Sequence, residues 1–331
     1  MIVTSLRDNL LKRGISAEIA WLPFRSYSPE VASQTVGIRL LDVREACGDK
    51  IDTLITIRYP AYALKHPNKR CWFIHHHRQA YDLWGSPYQD MEDTPDANRI
   101  RRMMFASDEL YLREARRVYT NSRIVASRLV KFNAIEPDGV LYPPHPNPEI
   151  FRSGDFGDFF LYAARLCPIK RQSLAIEAMR HVKSPFKLVF VGSPDAPGYG
   201  DELLSLAKNV GVADRVEFLG WLSEEEKAEY TAAACAALYI PFDEDSYGYS
   251  TLEAFHSSKP VITLTDSGGP LEVIDDGRNG CIADPTPEAL AEAMETVWQH
   301  KARAKTMGRE ALETISLLGI DWNHVVESLV A

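Results

Sequence analysis

The 331-residue chain has few cysteines and no long apolar run, and both shortages narrow the class of protein. Its cysteines lie far apart and form no C-x-x-C pair, so neither a disulfide framework nor a cysteine zinc site is expected. No apolar stretch approaches the roughly 20 residues of a membrane-spanning helix. No G-x-G-x-x-G follows a strand pattern, which argues against a dinucleotide-dependent dehydrogenase. These features predict a cytoplasmic globular protein.

Charge is distributed unevenly along the chain. Residues 1–150 carry 21 Lys and Arg against 18 Asp and Glu, whereas residues 151–331 carry 16 against 28. The acidic second half argues against nucleic acid as a general partner. The basic residues cluster in 99–131, where they are Arg99, Arg101, Arg102, Arg113, Arg116, Arg117, Arg123, Arg128 and Lys131. This stretch is either a solvated helix face or a basic surface for an anionic acceptor, a phosphate or peripheral contact with a membrane.

The second half alternates short apolar runs with helical patterns. Strands are predicted at 159–164, 187–191, 216–219, 236–240 and 260–264, and helices near 171–182, 200–210, 223–234 and 250–258. This alternation predicts βαβ units and a parallel sheet covered on both faces. In such sheets ligands bind beyond the carboxyl ends of the strands, so the functional residues are expected there.

The first half is also predicted to be α/β, with a less regular pattern. Strands are predicted at 17–22, 36–41, 52–57, 71–75, 117–120 and 139–142, and helices near 2–13, 97–116 and 122–132. The proline-rich YPPHPNP at 142–148 is typical of an interdomain linker. The predicted organisation is a first domain at 1–145, a second at 146–302 and a helical tail at 303–331.

Two turns in the second half carry the most information. The segment PFDEDSYGYSTLE at 241–253 offers carboxylates that could accept hydrogen bonds from sugar hydroxyls. The segment TDSGGPLEV, which begins at Thr265, offers a glycine pair ahead of a helix start, where backbone amides suit phosphates. The first turn has a structural alternative, because Ser250 to Glu253 is S-x-x-E, the pattern of a capping box.

Two adjacent cations form a third candidate. Lys170 and Arg171 lie at the predicted start of a helix, where positive charge opposes the helix dipole. An anion bound between the strand end and the helix start would compensate them. Together with Gly268 and Gly269, these residues suggest a two-sided clamp for a diphosphate.

On these residues, the stretch 159–284 resembles the donor-binding domain of retaining glycosyltransferases of family 4. Members of that family have the α/β GT-B fold, with two Rossmann-like domains facing each other across a cleft. Arg165 and Lys170 match the family's R-x4-K, and the resemblance implies that they hold the donor diphosphate. Glu253 matches the second glutamate of E-x7-E, which implies contact with the nucleotide ribose.

The resemblance extends to the glycine turns. Gly248 matches the glycine ahead of the helix that carries the glutamate, and neighbouring Tyr249 belongs to the same implied donor site. Gly268 and Gly269 match the later glycine-rich turn. The first glutamate of E-x7-E would fall at Asp245, which keeps the charge but is one methylene shorter. Either Asp245 serves with a slight backbone shift or neighbouring Glu244 takes its place, since the sequence does not choose between them.

A run of three histidines closes a predicted strand in CWFIHHHRQAYDLWG at 71–85. The resemblance implies that His75 contacts the donor sugar, and His75 and Asp245 are the predicted catalytic residues, with Arg78 following in the loop. His76 or His77 is expected to be structural or to line the acceptor site. Because adjacent residues of a strand point to opposite faces, one metal ion held by all three is disfavoured, and no metal or cofactor is predicted.

Family members open with a strand and a glycine-rich loop ahead of the helix predicted here at 2–13. The resemblance therefore predicts a first domain without its first strand. The implied activity is retaining, metal-independent transfer of a sugar from a nucleotide-sugar donor to an unidentified acceptor, which is a glycan, a lipid or a small molecule. Two alternatives remain, a sugar-nucleotide epimerase of the same fold and a non-catalytic nucleotide-sugar-binding or partner subunit.

Overall fold

The computed structural model of the chain describes residues 2–24 and 31–331. It separates into two compact units. The first comprises Met1–Pro146 together with Ile320–Ala331, and the second comprises Asn147–Gly319. Each unit contains a parallel sheet with helices, so the predicted α/β class is confirmed for both halves.

The elements are numbered in chain order over the described residues. The α-helices are α1 (Ile2–Lys12), α2 (Val31–Arg39), α3 (Pro95–Arg113), α4 (Arg123–Asn133), α5 (Gln172–Met179), α6 (Tyr199–Asn209), α7 (Glu224–Ala233), α8 (Tyr249–His256), α9 (Pro287–Gln299), α10 (Lys301–Leu317) and α11 (Trp322–Val330). The strands are β1 (Glu45–Ala46), β2 (Asp49–Lys50), β3 (Leu54–Thr56), β4 (Lys69–Phe73), β5 (Arg117–Thr120), β6 (Gly139–Val140), β7 (Phe159–Ala163), β8 (Lys187–Val191), β9 (Val216–Phe218), β10 (Ala236–Leu238), β11 (Val261–Leu264) and β12 (Gly280–Ala283).

The first unit is built on the parallel sheet β3-β4-β5-β6, and β1 and β2 form a separate antiparallel pair. Strand β4 is buried along its whole length, as expected for a strand covered on both faces. Cys71 and Phe73 join a core with Leu112 of α3 and Leu129 of α4. Trp72 points to the opposite face, as the period of two requires.

The face occupied by Trp72 is covered by the two ends of the described chain. Leu6 of α1 and Val326 and Leu329 of α11 pack in the same core as Trp72. The indole of Trp322 contacts that of Trp72 edge to face, with 6.3 Å between the ring centroids. The predicted tail at 303–331 is therefore divided, because α10 lies in the second unit whereas α11 completes the first.

Two predicted strands of the first unit are not strands. Residues 17–22 alternate between half-buried and exposed positions but have no regular structure, because their backbone joins no ladder among the described residues. Residues 36–41 begin inside α2. Val31, Thr35 and Ile38 are buried at helical spacing, and the β-branched composition of this segment obscured that period.

The second unit is a parallel sheet in the order β12-β11-β10-β7-β8-β9. All five predicted strands are confirmed, and β12 and α9 are additional elements that the sequence pattern did not reveal. Phe160 and Phe186 pack together on one face of β7, whereas Leu161 packs with Ala234 on the other. From β7 the chain winds to β8 and β9 in one direction, and from β10 to β11 and β12 in the other. The junction between β7 and β10 is thus the topological switch point of the sheet.

The first unit buries a carboxyl group that none of the sequence patterns indicated. Asp108 of α3 is 0% exposed, and the hydroxyl of Tyr81 donates to its Oδ2 at 2.7 Å. Burial raises the pKa of Asp108 to about 7, and the hydrogen bond from Tyr81 only partly offsets this effect. At a pH between 3.8 and about 7 the folded protein therefore holds a proton at Asp108 that the unfolded chain releases.

We expect Asp108 to make the free energy of unfolding depend on pH. The carboxyl has its ordinary pKa of 3.8 in the unfolded chain and a pKa of about 7 in the folded protein. Between these values the unfolded state binds fewer protons, so stability falls as pH rises through this window. Asp108→Asn keeps an acceptor for Tyr81 and should flatten the dependence, measured by urea unfolding from pH 5 to 8. Asp96→Asn, an exposed change on the same helix, is the control, and an unaltered slope in Asp108→Asn would contradict this assignment.

Candidate functional site

The loops that follow β7, β10 and β11 lie at the carboxyl edge of the second unit's sheet, beside its switch point. Ligands of open parallel sheets bind in the crevice at this position. The structure brings most of the predicted site residues of this unit into these loops, namely Arg165 and Lys170 after β7, Glu244, Asp245 and Gly248 after β10, and Gly268 and Gly269 after β11.

The loop after β10 runs alongside the loop after β11. The amide of Asp243 donates to the carbonyl of Asp266, and that of Glu244 donates to Ser267, both at 2.9 Å. The amide of Gly269 donates in return to the carbonyl of Glu244 at 2.9 Å. The backbone of the acidic segment is therefore held in place by the glycine-rich turn.

This close approach explains the glycine pair. A Cβ at Gly268 would lie 2.6 Å from the amide nitrogen and carbonyl oxygen of Glu244, and one at Gly269 would overlap the backbone of Ser246. The predicted helix start after the pair is a single 3-10 turn, Gly269–Glu272. The pair thus has a structural reason to be glycine, and its contact with a phosphate stays a prediction.

Arg171 joins all three loops. Its Nε donates to the carbonyl of Ile240 at 2.8 Å, and its Nη2 donates to that of Pro241 at 2.6 Å. The guanidinium also forms a bidentate pair with the carboxylate of Asp266, with both contacts at 2.8 Å. The sequence suggested that a bound anion compensates Arg171, whereas in the structure a protein carboxylate does so.

Lys170 is paired in the same way and is as deeply buried as Arg171. Its side chain is 9% exposed, and its Nζ donates to the hydroxyl of Tyr239 at 2.8 Å and to the carboxylate of Glu244. Burial by itself lowers the pKa of Lys170, but Tyr239 and Glu244 outweigh it and raise the pKa above its usual value. Of the two neighbouring acidic residues, Glu244 is thus the one whose carboxylate forms the ion pair with Lys170. Asp245 is buried, with 8% of its surface exposed.

Arg165 completes a series of three ion pairs. Its guanidinium is 68% exposed and pairs with Asp195, which follows β8. The three cations Arg165, Lys170 and Arg171 thus each contact an acidic residue from a different neighbouring loop. Of these three, Arg165 offers a largely exposed charge to an arriving ligand.

Gly248 is required by the ring of Tyr239. A Cβ at Gly248 would overlap atoms of that phenol, and the φ of +72° is also unfavourable for other residues. Gly248 is the N-cap of α8, which begins at Tyr249. The glycine therefore leaves room for the side chain of Tyr239, whose hydroxyl oxygen accepts a hydrogen bond from Lys170.

The capping-box alternative for Glu253 is wrong. The N-cap of α8 is Gly248, which has no side chain to cap the helix. The hydroxyl of Ser250 instead donates to the carbonyl of Ala163 in β7. Glu253 therefore does not form a capping box with Ser250 at the start of its own helix.

Glu253 is buried at 3% exposure and accepts a hydrogen bond from Nζ of Lys227 in α7 at 2.7 Å. Lys227 also contacts Glu224 at 3.0 Å. Sequence reasoning missed Lys227, because the Glu-Glu-Glu-Lys run at the start of α7 is typical of an exposed helix. Only the packing of α7 on α8 shows that the lysine reaches Glu253.

In the first unit the histidines have different surroundings. His75 follows β4, is half-buried, and has Nδ1 2.5 Å from the carbonyl oxygen of His76. The ring of His76 is buried, stacks on Tyr81 and has Nε2 2.7 Å from Oδ1 of Asn133. Burial lowers the pKa of His76 to about 4, so this histidine is neutral and structural. Arg78 donates to Asp82 at 2.7 Å.

Residues 147–314 match the family described as Glycosyl transferases group 1, and the chain belongs to this family. It is 34% identical over 131 residues to the alpha-1,3/1,6-mannosyltransferase ALG2 of Dictyostelium discoideum, which covers 38% of this chain and 31% of the relative. It is 27% identical over 239 residues to a D-inositol 3-phosphate glycosyltransferase of Acidothermus cellulolyticus, which covers 65% and 52%. The chain thus spans about a third to a half of these relatives.

The crystal structure of Anabaena Alr3699/HepE in complex with UDP is similar in fold. It has a TM-score of 0.66 and 16% sequence identity, and the match covers 98% of this chain and 87% of the other. This similarity supports the predicted GT-B class, with two Rossmann-like domains. Among the described residues, no helix has the length and apolar character needed to cross a membrane.

We expect Gly248→Ala to destabilise the second unit through overlap with the ring of Tyr239. Overpacking of this kind costs roughly 1–3 kcal/mol, measurable by urea unfolding. Gly277→Ala is the control, because Gly277 also has a positive φ but has nothing within 4 Å of its Cβ position. In a double-mutant cycle, Gly248→Ala should cost less in a Tyr239→Ala background than in wild type, because the overlapping ring is then absent. Equal destabilisation by the two glycine variants would show that backbone strain alone accounts for the effect.

Proposed function

We propose that this chain is a retaining hexosyltransferase that moves a sugar from a nucleotide-sugar donor to a glycosyl acceptor. The observation that carries the proposal is the gathering of Arg165, Lys170 and the acidic loop at the switch point of the second unit's sheet. Membership of the glycosyl transferases group 1 family supports it. The similar HepE structures, solved with UDP and with UDP-glucose, make a uridine nucleotide the first donor to test.

The proposed donor site assigns the diphosphate to Arg165, Lys170 and the Gly268–Gly269 turn. Charge-assisted hydrogen bonds from cationic side chains can neutralise a diphosphate, so the proposed reaction needs no divalent metal. Glu253 is proposed to accept hydrogen bonds from the ribose hydroxyls. Its buried carboxylate can take these in addition to the bond from Lys227, because a carboxylate has about four acceptor sites.

In the proposed reaction, an acceptor hydroxyl oxygen bonds to the anomeric carbon as the bond to the diphosphate oxygen breaks. The leaving nucleoside diphosphate keeps the electron pair, and Arg165 and Lys170 stabilise its charge. The acceptor proton passes to a phosphate oxygen of the leaving group, so no side-chain nucleophile is needed. Asp245 is proposed to contact the donor sugar, with Tyr249 beside it, and His75 stays a predicted catalytic residue of the first unit.

The first test is donor binding. UDP-, GDP- and ADP-sugars should be screened by thermal shift, because a ligand of the native state raises its unfolding temperature. Lys170→Ala should weaken binding of the donor found by at least about tenfold, as loss of a charge-assisted hydrogen bond of roughly 1.5–3 kcal/mol implies. Lys187→Ala, at the start of β8, is the control, since it removes a lysine from the opposite end of the sheet.

Four outcomes would count against this assignment. Unchanged affinity in Lys170→Ala would exclude its contact with the diphosphate, and loss of binding in EDTA would exclude a metal-independent site. A donor that binds without transfer or hydrolysis would favour a binding subunit. Interconversion of the donor sugar without an acceptor would favour an epimerase.

The first unit also supports a narrower version of the predicted membrane contact. Arg101 donates to the carbonyl of Ala80 at 2.5 Å, and Arg128 is buried 3.5 Å from Asp82, so neither serves as an exposed charge. The exposed face of α3 combines cations with half-exposed apolar side chains, and these residues are Arg99, Arg102, Met103, Leu110 and Arg113. Arg99 and Arg113 pair with Asp96 and Glu109 of the same helix, but these pairs are exposed and therefore weak. We propose this face as a peripheral site for anionic lipid.

We expect the protein to cosediment with vesicles that contain phosphatidylglycerol and to dissociate in high salt, because surface charge interactions are screened. Arg99→Gln combined with Arg102→Gln should weaken cosedimentation by more than about tenfold, at roughly 1 kcal/mol per basic residue. Arg44→Gln is the control, because it changes an exposed arginine elsewhere in the same unit. Binding that is equal on neutral phosphatidylcholine vesicles would refute this site.

A further inference from the structure

The buried ion pair between Lys170 and Glu244 has a consequence for ligand binding. An ammonium group has three donors, and here two of them point at Tyr239 and Glu244. The side chain of Lys170 is 9% exposed, whereas that of Glu244 is 19% exposed. The carboxylate is therefore the more accessible member of the pair.

We propose that Glu244 is an internal counter-ion, whose carboxylate occupies on Lys170 the position that a diphosphate takes when it binds. The proposal rests on the donor site described above. A diphosphate that reaches Lys170 while Glu244 remains in place would bring like charges into contact, which is unfavourable in a partly buried site. Binding thus requires the carboxylate to leave.

The structure indicates how Glu244 can move. Its amide is bonded to Ser267 and its carbonyl to Gly269, both at 2.9 Å, so the backbone at this position is held on both sides. A Cβ at Gly268 would collide with that same backbone, which shows how closely the two loops pack. Displacement is therefore a rotation of the Glu244 side chain rather than an opening of the loop.

The pair also accounts for a buried cation in the absence of ligand. An unpaired ammonium group in this position would be strongly destabilising, because burial disfavours its charge. Glu244 therefore stabilises the unliganded protein and, by the same contact, weakens the binding of any competing anion. A ligand that must displace a resident group binds with an affinity reduced by the strength of that contact.

The test compares the wild-type protein with Glu244→Gln, which keeps the size of the side chain and removes its charge. We expect Glu244→Gln to unfold at a lower temperature than wild type without ligand. We also expect it to bind UDP and inorganic pyrophosphate more tightly, by a factor on the order of three to ten. Affinity for uridine, which has no phosphate, should not change, because the competition is confined to the diphosphate.

Asp195→Asn is the matched comparison. It removes one negative charge from the carboxyl edge of the same sheet, but its partner Arg165 is 68% exposed, so solvent already screens that pair. We expect it to change the affinity for pyrophosphate less than Glu244→Gln does.

The outcomes separate this proposal from the proposed function. If wild type binds no nucleotide sugar or pyrophosphate, both fail. If wild type binds but Glu244→Gln binds with equal affinity, the counter-ion role is wrong while the donor site stands. Weaker binding of UDP and pyrophosphate by Glu244→Gln would show that Glu244 supports the diphosphate site instead. Weaker binding of the nucleotide sugar alone would show that Glu244 contacts the sugar.

Discussion

The candidate site depends on the guanidinium of Arg171. This group contacts two carbonyls after β10 and the carboxylate of Asp266 after β11, while its own backbone belongs to the loop after β7. Its backbone has a φ of +54°, an unfavourable conformation for arginine that the surrounding contacts maintain. Because strands β7 and β10 are neighbours, one side chain can tie the two halves of the doubly wound sheet together at the point where a ligand would enter.

The cationic side chains of the site are neutralised by carboxylates of the protein itself. Arg165, Lys170 and Arg171 each pair with a carboxylate from a different neighbouring loop. Exposed pairs of this kind contribute little to stability, whereas breaking a buried pair leaves an uncompensated charge. The exposed pair of Arg165 and the buried pair of Lys170 therefore differ in the free energy needed to break them. Arg165 can exchange Asp195 for solvent or a ligand at small cost, whereas Lys170 needs another anion in place of Glu244.

Steric constraints act beside the charges. The ring of Tyr239 occupies the space that a side chain at Gly248 would need, and Gly268 and Gly269 allow two loops to run in contact. These glycines fit the motif of the family, yet each has a packing reason that does not involve a ligand. The same holds for His76, whose stacking on Tyr81 gives it a structural role within the histidine run.

The sequence by itself determined the α/β class, the parallel sheet of the second half and the loops that carry the candidate site, because hydrophobic period and turn residues are local properties. It could not determine the partners of Lys170, Glu253 and Asp108, which lie 74, 26 and 27 residues away at Glu244, Lys227 and Tyr81. It also placed a strand at 36–41, where burial follows a helical period, and a separate tail at 303–331, whose last helix packs beside Trp72. Only the tertiary structure decided these points, because strand order and helix packing bring together charges and apolar faces that are distant in the chain.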